Sequence, residues 1–160
     1  MSYFIFCCIF ALKLKDMLSK TCEYALRAMI YVAQHSNEHK MVNIREIAAN
    51  IDSPELFIGK ILQSLSKKGF LQSSKGRNGG FYLSEKDARN SLADIVLAVD
   101  GDKIFTGCGV GLHYCSEKHP CPIHHEYKKT RKEVYRIYKQ ATLEHFRDMQ
   151  VQADANLKRQ

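Results

Sequence analysis

The stretch KILQSLSKKGFLQSSKGRNGGFYL at residues 60–83 constrains the fold more than any other part of the chain. It completes a pattern in which Phe57, Ile58, Ile61, Leu62 and Leu65 recur at helical spacing, predicting a helix with one buried face that runs to about Lys68. Gly69 stops that helix. Residues 70–74 then read as a strand, 75–80 as a turn and 81–83 as a second strand. The Asn78-Gly79 step supplies the backbone conformations a tight hairpin turn requires.

What precedes and follows fits one plan. Leu18, Cys22, Ala25, Leu26, Met29, Ile30 and Ala33 predict a helix over 18–34 with one inward face, and residues 35–40 form a polar loop. Val42 lies in a short extended stretch, and 44–50 forms a short helix with Ile44, Ile47 and Ala48 inward. Asp52 or Ser53 caps the next helix, Pro54 sits in its first turn, and Glu55 suits the positive end of its dipole. Two short helices joined by a tight turn and followed by a basic hairpin make a winged helix-turn-helix. Another short helix covers 91–99, and 102–122 is an aperiodic loop rich in Gly, Cys and His. From Ile123 to about Ala153 there is no Gly or Pro, and Tyr127, Thr130, Val134, Ile137, Ala141 and Asp148 form a stripe on one long helix. Its natural use is a helix–helix dimer contact, the alternative being that it folds back onto the core. The expected architecture is mainly α with a small β-hairpin wing. It comprises a DNA-binding unit at 17–101, the cysteine loop at 102–122, and a dimerisation helix and tail at 123–160.

Composition removes other classes. With 160 residues, 45% hydrophobic and 26% charged, the chain is long enough for one core and too apolar for disorder. No apolar run reaches the ~18 residues that a membrane-spanning helix needs. The apolar block at residues 3–12 has no preceding Lys or Arg and no cleavage signal, and Met17 opens a well-formed amphipathic segment. Residues 1–16 are an N-terminal extension of uncertain role, expected to be a mis-assigned translation start, with a peripheral membrane anchor or a segment packed on the body as the alternatives; the protein is expected to be cytoplasmic. No Ser/His/Asp order, carboxylate pair or phosphate-binding Gly-Lys motif stands in a catalytic context, so no enzyme is expected.

The net charge is +7, from 24 Lys and Arg against 17 Asp and Glu. Lys60, Lys67, Lys68, Lys75, Arg77, Lys86 and Arg89 crowd 60–89 against only Glu85 and Asp87. Such a run alone is usually a solvated face; in a winged helix-turn-helix it points to duplex DNA. The helix end carrying Ser53, Glu55 and Lys60 would enter the major groove. The tip carrying Lys75, Gly76, Arg77, Asn78 and Gly79 would reach the minor groove.

The cysteines divide by setting. Cys7 and Cys8 lie in the N-terminal block, and Cys22 reads as a buried, inert thiol. Cys108, Cys115 and Cys121 form C-x6-C-x5-C among Gly107, Gly109 and Gly111, and His124 follows as C-x2-H. Glycines let a backbone wrap closely around a metal centre, and Cys121-Pro122 echoes ferredoxin loops. An iron–sulfur cluster is the preferred reading. Zinc can use the same four ligands but lacks a two- to four-residue knuckle between cysteines; a thiol switch and unliganded cysteines stay open. His113, His119 and His125 flank the loop and could tune or replace ligands, but each reads more simply as a solvated loop residue.

In this order the pieces resemble the Rrf-type winged-helix regulators, the family of IscR and NsrR. The resemblance covers 18–153 and is most specific at 60–83 and at Cys22-Glu23-Tyr24-Ala25-Leu26-Arg27-Ala28. It implies a homodimer crossed through long C-terminal helices and bound to an imperfect palindrome. By this resemblance Lys75 takes the place of a wing arginine. Cys108, Cys115 and Cys121 match the three cluster cysteines, although the first gap is longer than is usual. His124 matches the fourth-ligand histidine of IscR-like members. Glu23 matches the position from which the nitric-oxide-sensing branch supplies a partner subunit's carboxylate. The resemblance implies a transcriptional regulator controlled by an iron–sulfur cluster that senses nitric oxide, redox state or iron–sulfur status. Two alternatives are a constitutive winged-helix protein with structural zinc and a small iron–sulfur electron-transfer protein.

Overall fold

The computed structural model describes residues 17–77, 79–148 and 157–158. The expected false start at 1–16 lies outside them, as does Asn78. In chain order the elements are α1 (Lys20–His35), α2 (Ile44–Asn50), α3 (Glu55–Lys67), β1 (Gln72–Ser74), β2 (Gly80–Tyr82), α4 (Glu85–Ala88), α5 (Leu92–Asp100), α6 (Lys103–Thr106), α7 (His124–Gln140) and α8 (Leu143–Asp148). The protein is mostly helical, with one two-stranded antiparallel sheet. Among the described residues no helix is long and apolar enough to cross a membrane.

α1 is the hub. Ser19 caps it, its hydroxyl accepting the Cys22 amide. Cys22, Ala25, Ala28, Met29, Val32 and Ala33 are fully buried because α3, α5 and α8 all pack on it. The single inward face expected from the sequence is thus too narrow. Burial pushes the Cys22 thiol up to about 12, helped by the Asp100 carboxylate, so it is packing material rather than a nucleophile.

The turn between α2 and α3 differs from expectation. Neither Asp52 nor Ser53 caps α3; Pro54 is the N-cap and makes no side-chain bond. Asp52 instead takes a left-handed conformation (φ 53°), and the Ser53 amide donates to the Ala48 carbonyl at 3.0 Å, ending α2 in a Schellman turn. Arg27 pins the turn to α1 through the Ile51 carbonyl at 3.2 Å. α3 ends in the same way: Gly69 has φ 79°, and the Phe70 amide reaches the Leu65 carbonyl at 3.0 Å. α3 buries Ile58, Ile61, Leu62 and Leu65, but Phe57 stays 37% exposed with its ring edge-on to Tyr24.

The wing pairs Gln72 with Tyr82, Ser73 with Phe81 and Ser74 with Gly80. Phe70 and Leu71 are outside β1, and residues 75–79 connect the strands, with the Asn78 of the expected Asn-Gly step outside the described residues. The loop closes on Gly76 (φ 112°), whose carbonyl accepts the Gly79 amide at 3.0 Å. Val42 adds a single antiparallel bridge to β2, exchanging two 2.9 Å backbone bonds with Phe81. A β-carbon on Gly80 would lie 2.5 Å from the Val42 carbonyl oxygen. Gly80→Ala must therefore push the wing off the body, at a cost of about 2 kcal/mol or more. Gly59→Ala meets only Ile44 at 3.9 Å and should gain up to about 1 kcal/mol from helix propensity. Urea unfolding of both variants checks the opposite signs.

The expected single helix over 123–153 is two helices. After Gln140 the chain turns extended, Leu92 donates to the Ala141 carbonyl (2.8 Å), and Leu143 donates to that of Asn90 (3.0 Å). α8 then folds back on α1, burying Leu143 completely. Within α7, Ile137 is 52% exposed and Thr130 is exposed, so part of the outer stripe is uncovered among the described residues. Two short helices were not anticipated: α4, held by a Ser84–Asp87 capping box, and α6 inside the supposedly irregular loop.

Candidate metal centre and nucleic-acid interface

The cysteine loop is fastened at both ends to α7. Arg131 donates to the carbonyls of Thr106 and Gly107, and Phe105 packs edge-on against Tyr135 at 5.1 Å. Cys108 follows directly. At the other end Cys121 precedes α7, its carbonyl accepting the His124 amide at 2.9 Å. The three thiols Cys108, Cys115 and Cys121 converge, all sulfurs within 4.8 Å of one another, with Cys108 and Cys121 3.7 Å apart. Gly109 faces the Tyr127 ring, where a β-carbon would sit 2.9 Å from a ring carbon. Close packing on α7 is what this glycine serves here.

The electrostatics suit metal-binding thiolates. The Val110 amide donates to the Cys108 sulfur at 3.4 Å and the Cys121 amide to that of Cys115 at 3.5 Å. The Val110 amide, aided by that of Leu112, draws Cys108 down to about 7. Cys115 accepts the Cys121 amide, which favours its thiolate, yet desolvation and the neighbouring sulfurs outweigh this and hold it above the ordinary value. The donor set therefore fits a soft metal centre.

His124 is 8% exposed and faces two ways: Nδ1 lies 3.1 Å from the Cys115 sulfur and Nε2 3.2 Å from Glu117 Oε1. Lys128, and after it His124, draws Glu117 down to about 2. A carboxylate on the far nitrogen is the usual device for orienting a ligand histidine. Glu117 was missed in the sequence because its partners lie seven and eleven residues away. Glu23 is elsewhere, on α1, paired with Lys20 at 3.3 Å. His113, His119 and His125 are exposed as expected.

A groove between α2, α3 and the wing holds Glu55, Lys60, Lys75, Gly76, Arg77 and Gly79 of the expected DNA contacts. Ser53 is outside it, its hydroxyl buried with no hydrogen-bond partner among the described residues. Leu56, Lys60, Gln63 and Lys67, spaced four, three and four residues apart, present one exposed ridge of α3 to this groove. The basic run at 60–89 does not share one face. Lys68 donates instead to the Ala98 carbonyl, and Lys86 and Arg89 are not among the groove's lining residues. Arg45, from α2, joins the groove and pairs with Glu55 at 3.7 Å. A charge count over 60–89 could not find it.

The sequence over residues 18–148 matches the Rrf2 family, described as an iron-dependent transcriptional regulator. A helix-turn-helix-type transcriptional regulator of Aquifex aeolicus is 31% identical over 129 residues, covering 79% of this chain and 88% of the relative. The helix-turn-helix-type transcriptional regulator NsrR of Oceanobacillus iheyensis is 25% identical over 128 residues, covering 79% and 86%. Among solved structures, CymR of B. subtilis, described as the global cysteine regulator, aligns with a TM-score of 0.66 at 19% identity over 82% of this chain and 96% of CymR. IscR of T. potens aligns with a TM-score of 0.61 at 22% identity, over 82% and 87%. The relatives are named as regulators of transcription, not as enzymes, and the shared fold is that of the winged-helix regulators. The chain belongs to the Rrf2 family of transcriptional regulators.

Proposed function

We propose that this regulator is a homodimer that binds a palindromic operator with an affinity set by an iron–sulfur cluster. Cys108, Cys115 and Cys121 would hold the cluster, with His124, or Glu23 of the partner subunit, as fourth ligand. The observation that carries this reading is the convergence of three thiols, all within 4.8 Å, at the foot of α7. The exposed part of α7's stripe supports a second copy packing there. When bound, the cluster supplies iron whose ligation responds to nitric oxide, redox state or iron–sulfur status.

The chain's own residues can transmit a change in that loop. Arg131 ties the loop's start to α7, and Lys139 ties α7 to α5 through Asp94 at 2.7 Å. α5 packs on α1, which carries the helix-turn-helix. A shift at Cys121 or His124 thus has a packed route to the wing spacing, and so to the fit on half-sites about one helical turn apart.

One observation favours a second reading. A spacing of 3.7 Å between the Cys108 and Cys121 sulfurs matches the edge of a tetrahedron with metal–sulfur bonds of ~2.3 Å, which zinc would occupy as readily as one iron. Anaerobic purification of the full chain, with iron, sulfide and zinc analysis and visible absorption, separates the two. A coloured protein with iron and acid-labile sulfide is expected. A colourless protein with stoichiometric zinc overturns cluster control and leaves a constitutive DNA-binding regulator.

A further inference from the structure

Leu56 has no structural reason to be leucine. It is 86% exposed, while the same helix meets the core through Ile58, Ile61, Leu62 and Leu65. Burying a leucine side chain is stabilising, and among the described residues that contribution is unused here. Its surroundings are the reverse of apolar: the groove has Arg45, Lys60, Lys67, Lys75 and Arg77 on its walls, with Glu55 as its one carboxylate. A partner filling this groove must be polyanionic and yet offer an apolar group to the first turn of α3.

Duplex DNA meets both conditions. Its phosphates match the cations, and the C5 methyl of thymine is the one apolar group among the base-edge features of the major groove. Leu56 is the second residue of α3, and residues at the N-terminal end of a recognition helix are those that reach base edges. Side chains also lean toward a helix's N-terminus, which carries Leu56 forward of the ridge formed with Lys60 and Gln63. We propose that Leu56 packs on a thymine methyl, making it a specificity-determining residue that selects thymine at one position of each half-site. This rests on the reading above that α3 enters the major groove of an operator.

The test begins with selection of tight-binding duplexes from a random pool by the full chain. Each thymine of the best duplex is then replaced by deoxyuridine, which removes only the methyl, and binding is followed by fluorescence anisotropy. One thymine per half-site should show a loss of about fourfold on replacement, and about fifteenfold when both half-sites are changed. Leu56→Ala should bind the thymine and uridine duplexes alike, whereas Leu56→Met should keep most of the discrimination. Exposure of Leu56 means that neither variant should alter urea unfolding. A selected duplex with no uridine-sensitive thymine, or an undiminished penalty in Leu56→Ala, overturns the assignment while leaving operator binding intact. Failure to select any preferred duplex overturns the operator reading itself, and the assignment with it.

Discussion

Cys115→Ala should purify anaerobically with iron near background and bind DNA with the same affinity whether or not the signal is present. Cys115 is the central sulfur of the loop: its thiol receives the Cys121 amide at 3.5 Å and faces His124 Nδ1 at 3.1 Å. Its removal leaves two thiols 3.7 Å apart and takes away the sulfur that faces the His124 ring. Two cysteines and one histidine are too few to complete four-coordinate ligation, and metal binding in such sites is steeply dependent on ligand number. The loss should be nearly complete rather than graded. Folding should survive, because Cys115 is partly exposed and outside the hydrophobic core. Cys22→Ala is the control. Its thiol is fully buried against Asp100, so it should keep full iron content and lose about 1 kcal/mol of stability through packing. Metal analysis and anisotropy on both variants decide the matter. A Cys115→Ala protein that retains iron and responds to the signal overturns the ligand assignment.

Local chemistry made much of this molecule legible in its sequence. The period of Ile58, Ile61, Leu62 and Leu65 fixed the buried face of α3, and Gly69 fixed its end because only a left-handed residue closes that turn cheaply. The cysteine spacings placed three thiols on one loop, and the fold brings them together. Where sequence reasoning failed, tertiary contacts overrode local preference. Nothing in Ala141-Thr142-Leu143 is a helix breaker, yet the backbone there bonds to Asn90 and Leu92 and turns α8 onto α1. Asp52 looked like a cap and became the left-handed residue that ends α2, since Arg27 and the Ser53 amide hold the turn in that shape. Arg45 entered the groove because α2 crosses beside α3, a juxtaposition that no linear charge count contains. α4 was not anticipated because it is too short to show any periodicity; only its Ser84–Asp87 capping box, which the sequence reading did not use, could have marked it.

Lys75→Ala/Arg77→Ala should weaken operator binding more at low salt than at high salt. Both side chains are exposed on the wing loop beside the groove, where the proposed operator complex would have each neutralise one phosphate. A neutralised phosphate contributes about −0.9 to the slope of log affinity against log salt, so the double variant should flatten that slope by about 1.8. Referred to 1 M salt, that slope means a loss of about 200-fold at 50 mM and about 20-fold at 200 mM. General charge reduction cannot imitate the pattern if the control removes the same charge elsewhere. Lys86→Ala/Arg89→Ala does so from exposed positions outside the groove lining, and its slope should change by less than about 0.5. Anisotropy titrations of the three proteins on one duplex, from 50 to 200 mM salt, give the comparison. Equal slopes for the two double variants would mean that the wing acts only through long-range attraction. A slope change confined to the wing variant places its cations on the phosphates, leaving the ridge from Leu56 to Lys67 to read the bases.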